Sequence, residues 1–109
     1  MAVVNQYKFY GTNLVTTSET TLLTAGATEN FIIKSLRVTN NTGNTPTITL
    51  TNNSIKIVNT QALVANASVE ILTLPMIVES ATSLKVTMSS TDSVDIGISY
   101  LNILKEVTA

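Results

Sequence analysis

The chain has 109 residues and a formal net charge of -1, and only 12% of its residues are charged, against about 25% in a typical protein. This length corresponds to one domain, and its few basic residues are scattered singly, which argues against nucleic acid or an anionic membrane as a partner. Histidine, cysteine and tryptophan are absent, so the commonest general base, thiol nucleophiles and soft-metal ligands are missing.

The first segment, residues 1–12, carries most of the aromatic side chains. Tyr7, Phe9 and Tyr10 lie just ahead of a turn signal at Gly11. One interpretation is a first strand whose Tyr7 and Phe9 fill the open edge of the core. The other is an arm that packs on a neighbouring subunit, since Tyr and Phe are favoured at interface centres. These three aromatics are therefore the candidate interaction residues.

Residues 13–104 are expected to form the main domain, because apolar and polar residues alternate in short runs that turn residues separate. A run over residues 20–24 is followed by one over 31–39, where Phe31 and Ile33 face one way and Leu36 and Val38 have the opposite parity. Such a slip predicts a β-bulge or a strand that passes between two sheets. A second slip lies between Ile71 and Leu72, since Val69 and Ile71 share one parity and Leu72 and Leu74 share the other.

Two hairpins are predicted in the second half of the chain. The first spans residues 47–59, with a tight turn at Asn52-Asn53, because Asn tolerates a positive φ better than most residues. The second joins the alternations at 84–89 and 93–102 through the turn 90–92. In its last strand, Val94, Ile96, Ile98 and Tyr100 are expected to face the core.

These elements predict an all-β fold, an antiparallel β-sandwich that is jelly-roll-like with about eight short strands. No segment shows helical periodicity, and β-branched residues dominate. Residues 105–109 are interpreted as a C-terminal tail, either a frayed end or a further contact. One core is expected to hold eight apolar side chains: Leu36, Val38, Ile48, Leu50, Leu84, Val86, Ile96 and Ile98.

The acidic residues give weak candidates for chemistry. Asp92 and Asp95, with Glu79 or Glu70 brought close by folding, have the oxygen ligands of a Ca²⁺ site, but a turn and a solvent-facing strand explain them equally well. A glycosidase needs a pair of carboxylates, and no spacing selects one. We therefore expect no enzymatic activity, no catalytic, cofactor-binding or metal-binding residues, and no cofactor.

A longer pattern extends over roughly residues 14–103. It is carried by the segments Thr20 to Thr28, Phe31 to Gly43, Ile48 to Leu50, Leu63 to Ala67, Ile71 to Leu72, Ser83 to Ser90 and Val94 to Tyr100. This pattern resembles small β-sandwich structural proteins of tailed bacteriophages. In that family a strand with an "arg-val-x-asn" ending precedes a hairpin, and the last two strands read "leu-x-val-x-x-ser-ser" and "val-x-ile-x-ile".

The resemblance implies a non-enzymatic virion protein. The first expectation is a capsid decoration (cement) protein that stabilises the head lattice. Its partners would be the major capsid protein lattice and copies of itself, arranged as a trimer at local three-fold positions. A tail, neck or fibre component is the alternative within the family, so the expected location is the outer capsid surface or the tail. Because the amino terminus lacks a secretion signal, we expect synthesis in the host cytoplasm.

A carbohydrate-binding β-sandwich module is the alternative from another class. Such modules present exposed aromatic side chains that stack on sugar rings, and this chain has few aromatics and no Trp. An enzyme is the third and weakest alternative.

Overall fold

A computed structural model describes residues 3–105, and within that range every regular element is a β-strand. The amino-terminal Met1 and Ala2 and residues 106–109 of the predicted tail lie outside the described residues. The strands are β1 Val3–Leu14, β2 Thr20–Thr24, β3 Glu29–Asn40, β4 Thr47–Asn52, β5 Ile55–Ala62, β6 Ser68–Glu70, β7 Met76–Val78, β8 Ser83–Met88 and β9 Val94–Lys105. Residues 3–105 contain no helix long and apolar enough to cross a membrane.

The strands form two antiparallel sheets with jelly-roll topology. Sheet A has the order β1-β9-β3-β6, with β7 also paired to β3, and sheet B has the order β2-β8-β4-β5. The first strand thus pairs with the last, the second with the next to last, and so on inward, which is the nested pairing of a jelly roll. Since β6 and β7 occupy one position beside β3, nine strands fill eight places. The predicted fold class is confirmed.

The core lies between the two sheets and contains all eight side chains predicted for it. Each comes from the inward parity of a strand, because successive side chains in a strand point to opposite faces. Tyr100 is also inward, as predicted, and its ring packs against that of Phe31 with centroids 4.9 Å apart.

Both predicted phase slips are irregularities within sheet A. The register between β3 and β9 shifts between Ile33 and Ser35, so the first slip is a β-bulge and the strand stays in its sheet. The second slip is the break between β6 and β7. There the Glu70 carboxylate accepts hydrogen bonds from the Ser35 hydroxyl and, at 2.7 Å, from the Leu36 N–H. The two irregularities therefore lie side by side, and the carboxylate at the second accepts hydrogen bonds from residues at the first.

The first predicted hairpin is confirmed, with its turn one residue later than expected. Asn53 and Ser54, not Asn52 and Asn53, form the two-residue turn, with φ values of 51° and 65°. Asn52 instead pairs with Ile55 as the last residue of the ladder. A positive φ at both central residues matches a type I′ turn, whose twist suits a hairpin.

The second predicted hairpin is wrong. Strand β8 pairs with β2 and β4 in sheet B, whereas β9 pairs with β1 and β3 in sheet A. The ends of the connection are held by different neighbours: the Ser89 N–H donates to the Thr47 carbonyl, and the Asn41 N–H donates to the Ser93 carbonyl. Alternation predicted correctly which face of each strand is buried, but the buried face does not specify the strand partner.

Candidate functional site

The outer face of sheet A, the side turned away from sheet B, carries the exposed aromatics. From Val94 to Asn102 on β9 the inward residues are buried, which leaves Asp95, Gly97, Ser99 and Leu101 on the outer side. Residues paired across neighbouring strands share a face, so the ladder register gives the rows of side chains on this surface.

One row is apolar on all four of its strands. Tyr7 pairs with Leu101, Leu101 with Ile32, and Ile32 with Ile77. Tyr7 is 79% exposed and Ile77 56% exposed, while the two central side chains are half-buried. We call these four residues the apolar row. The water-facing side of an antiparallel sheet is usually polar, so this row is a candidate interaction surface.

Next to the apolar row, Phe9 covers a pair of glycines. Gly11 and Gly97 are opposite each other on β1 and β9. The Phe9 ring lies 3.0 Å from the position that a β-carbon on Gly11 would take, and 3.1 Å from the corresponding position on Gly97. Phe9 nevertheless remains 70% exposed. Its ring therefore forms a raised edge above a floor without side chains.

The glycine pair forms the floor of a groove of about 550 Å³, which we call the glycine groove. Arg37 lies beside Gly97 on β3, opposite Phe9. The groove thus has an aromatic side, a cationic side and a polar end at Asp95. Its lining residues are Phe9, Gly11, Thr12, Ser35, Arg37, Thr39, Asp95, Ile96, Gly97 and Ser99.

Hydrogen bonds keep the acidic groups at the border of this groove ionised. The Asn13 amide donates to Asp95 at 2.7 Å, and this bond, together with the Asn41 amide, lowers the pKa of Asp95. At Glu70, burial alone would raise the pKa, but hydrogen bonds from Ser35 and Leu36 outweigh it and the pKa is lowered. Both groups therefore act as fixed anions at neutral pH and are poor proton donors.

The three aromatics predicted as interaction residues are placed on both faces of β1. Tyr7 and Phe9 point outward, so the interpretation that they fill the core is wrong. Tyr10 has the opposite parity and packs against the core. From Val3 to Leu14 the chain is a strand paired with β9. Whether Tyr7 and Phe9 bind a partner stays a prediction, and their exposure is the feature it requires.

Alternation in the sequence does not identify Ile32, Ile77 or Arg37 as part of this surface. Their place depends on the pairing of β3 with β7 and β9, which alternation does not specify. A signal was present, however. Residues 31–33 and 76–78 are apolar on both parities, and a strand that is apolar on both faces must cover its outer face with something.

The acidic residues that the structure describes do not assemble into a metal site. Within residues 3–105, no three acidic side chains form a group that could hold a metal ion. Asp92 instead accepts hydrogen bonds from Ser90 at 2.6 Å and from the Asn44 amide at 2.9 Å, which lower its pKa. The weak Ca²⁺ candidate, Asp92 and Asp95 with Glu79 or Glu70, is therefore not assembled within these residues.

Comparisons with known proteins identify no relative: no protein-family model matches the chain, and none of the curated proteins matches it significantly in sequence. The functional interpretation therefore depends on the geometry of the outer face of sheet A and on the sequence pattern.

Proposed function

We propose that this protein is a non-enzymatic structural component of a tailed-phage virion, a decoration or cement protein that binds the capsid lattice through the outer face of sheet A. The observation that carries the proposal is the apolar row, which lies across one complete sheet without a charged residue. The resemblance of residues 14–103 to phage structural proteins supplies the class of particle.

The energetics favour burial of this row in an assembly. Complete burial of a Leu, Ile or Phe side chain contributes about 1.5–3 kcal/mol. Tyr7 and Ile77 at the two ends of the row are mostly exposed in the isolated chain. Most of the free energy of burying these two side chains would therefore be gained on binding a partner.

Repetition supplies the rest of the affinity. A lattice presents the same site many times, so a weak contact of one copy adds to the contacts of its neighbours. The surface has few charges, so binding should depend little on ionic strength. A tail, neck or fibre position remains the alternative within the same class, because the same face would serve there.

The test is co-sedimentation of the purified protein with virus particles assembled without this chain. We expect saturable binding of the native protein. Ile77→Asp should weaken it at least tenfold, because a charge would then be buried at the contact. The matched control is Val64→Asp, since Val64 is 71% exposed but lies in the loop between β5 and β6, away from this face.

Two results would overturn the proposal. If the native protein does not sediment with particles, the virion role is wrong. If Ile77→Asp and Val64→Asp bind equally well, the role of this face is wrong.

The second candidate is carbohydrate binding, which the position of Phe9 favours. An exposed aromatic ring beside a groove with Arg37 and Asp95 combines a stacking surface with hydrogen-bonding groups, as sugar-binding sites do. A glycan array tests this directly. Binding that Phe9→Ala abolishes and Ile77→Asp leaves intact would replace the virion proposal by the carbohydrate one.

A further inference from the structure

Strand β1 is a free edge of sheet A. It pairs with β9 from Val3 to Leu14 in an unbroken register, and no other strand of the described residues pairs with it. Residues of an antiparallel strand direct their N–H and C=O groups alternately to the two sides. Half of the backbone groups of β1 therefore point away from β9. Among residues 3–105, no loop backbone forms hydrogen bonds with them.

The other three sheet edges carry features that prevent strand addition. Strand β2 is short and bulged, with five residues and a register shift after Thr21. Strand β5 has two register shifts and a residue of positive φ, Thr60. The remaining edge is divided between β6 and β7. Short length, bulges and interruptions are the usual protection of an edge against pairing with another chain.

Strand β1 lacks this protection. It has 12 residues, no register shift and no proline. Between Val3 and Leu14 the one charged residue is Lys8. An edge that is long, regular and nearly uncharged in a protein whose other edges are blocked is suited to pairing with another strand.

We propose that two copies of this chain pair antiparallel through β1, about a two-fold axis at Phe9, so that their A sheets form one continuous sheet. This inference rests on the proposed function, because the resulting dimer, in place of the trimer that the resemblance implies, is the unit that would bind a lattice. Each β1 would pair from Val4 to Leu14, with Phe9 opposite Phe9 of the second copy, Tyr7 opposite Gly11 and Lys8 opposite Tyr10.

This register is selected by the side chains that it brings together. On the outer face, Tyr7 of one copy lies opposite Gly11 of the other, which the Phe9 ring of that copy covers, so each Tyr7 ring meets a Phe9 ring and four exposed aromatics form one cluster. On the inner face, the Lys8 ammonium meets the Tyr10 ring, a favourable cation–π pair.

The neighbouring registers are worse. An axis at Lys8 places two like charges directly opposite each other, which destabilises the pair. An axis at Tyr7 or at Tyr10 leaves several residues at one end of each strand without partners. A second copy is also the partner that the chemistry favours, because an edge with a single charge does not select an oppositely charged segment of another protein.

Cysteine cross-linking tests the register, and the chain has no cysteine of its own. Phe9→Cys should form a disulfide-linked dimer under mild oxidation. The matched control is Ser99→Cys, because Ser99 is the partner of Phe9 on β9, on the same face but one strand inward. In the dimer the two copies of that residue would be separated by three interstrand spacings, about 14 Å, which is too far for a disulfide. A mixture of Tyr7→Cys and Gly11→Cys should cross-link, and each alone should not.

Sedimentation equilibrium tests the same contact without a covalent bond. The native chain should form a dimer, and Phe9→Lys, which places two charges opposite each other, should raise its dissociation constant at least tenfold. Ser99→Lys is the control and should leave the dimer intact. Circular dichroism melting identifies any variant that fails to fold.

The inference is overturned by a monomer at every concentration, by a trimer that Phe9→Lys does not affect, or by equal cross-linking of Phe9→Cys and Ser99→Cys. These results are distinct from failure of the virion proposal: a monomer that still sediments with particles contradicts only the pairing, and a dimer that never sediments contradicts only the virion role.

Discussion

The ring of Phe9 lies over Gly97 of the neighbouring strand, with its nearest carbons 3.1 Å from the point where a β-carbon on that glycine would lie. The same ring covers Gly11, which is opposite Gly97. An exposed aromatic thus replaces two missing side chains, one on its own strand and one on the next. This contact fixes the ring at the border between the apolar row and the glycine groove.

Gly97→Ala should displace that ring without unfolding the protein. The new methyl group requires the ring to move by a few tenths of an ångström, and an exposed side chain can swing outward. Alanine also suits a strand better than glycine by about 0.5–1 kcal/mol, so we expect the unfolding free energy to change by less than about 1 kcal/mol while dimerisation weakens. Denaturant unfolding and sedimentation measure the two effects. Gly43→Ala is the control, because nothing lies within 4 Å of a β-carbon there. A loss of stability well above 2 kcal/mol would show that the ring cannot move.

Truncation of the core should have a much larger effect. Ile96 is fully enclosed between the sheets, and Ile96→Ala should lower the unfolding free energy by about 2–5 kcal/mol through lost burial and a residual cavity. Ile55→Ala removes a side chain of the same size from an exposed position of β5 and should change stability by less than about 0.5 kcal/mol. Urea unfolding monitored by circular dichroism compares the two variants, and equal effects would contradict the assignment of Ile96 to the core.

Asn40 is a buried polar residue, 1% exposed, whose amide organises the loop after β3. Its Nδ2 donates to the Asn44 carbonyl at 2.7 Å, and its Oδ1 accepts from the Thr42 N–H and hydroxyl. Asn40→Asp replaces the donor by an anionic oxygen that faces a carbonyl. We expect a loss of at least about 1–3 kcal/mol at pH 7, because a buried group loses its partner and a charge is buried as well.

The loss in Asn40→Asp should become smaller in acid. Burial and the Asn44 carbonyl that faces the new oxygen raise the pKa of the new carboxyl above its unfolded value, so the protonated form is favoured in the folded state and the loss grows as the pH rises through that range. Denaturant unfolding at pH 4 and at pH 7 measures the difference. Equal losses at both pH values would show that this carboxyl is not buried.

Glu29 should make the protein sensitive to acid. Hydrogen bonds from the Gly26 N–H and the Asn102 amide, each 2.9 Å long, lower the pKa of Glu29 below its ordinary value of 4.5. A lowered folded-state pKa means that its contribution is complete above pH 4.5 and is lost as the pH falls through the folded pKa. The difference in unfolding free energy between the native chain and Glu29→Gln should therefore shrink between pH 6 and pH 3. A difference that grows in acid would contradict the shift.

The inner faces of the strands could be predicted from the sequence, because burial imposes a strict period of two. This was sufficient for Ile96 and Ile98 on β9, and the bulge in β3 was visible as a change of parity. The same rule fails on β1. The large apolar side chains of Tyr7 and Phe9 face outward there. The charged Lys8 instead shares the inward face of the strand with Tyr10.

Strand partners could not be predicted in the same way. Adjacent runs in the sequence suggest a hairpin, but in a jelly roll many consecutive strands belong to different sheets, as β8 and β9 do. The apolar row depends on that non-local pairing, since Tyr7, Leu101, Ile32 and Ile77 come from four separate parts of the chain. Single-sequence alternation contains no information on which rows align.

The central claim is that this protein is a virion component bound through the outer face of sheet A. A cryo-EM map of the virus particle tests it most directly. We expect density for this jelly roll in many symmetry-related copies, with the apolar row turned toward the lattice and the exposed side of sheet B turned toward solvent. A particle that lacks this density, or one in which those four side chains face open solvent, would contradict it.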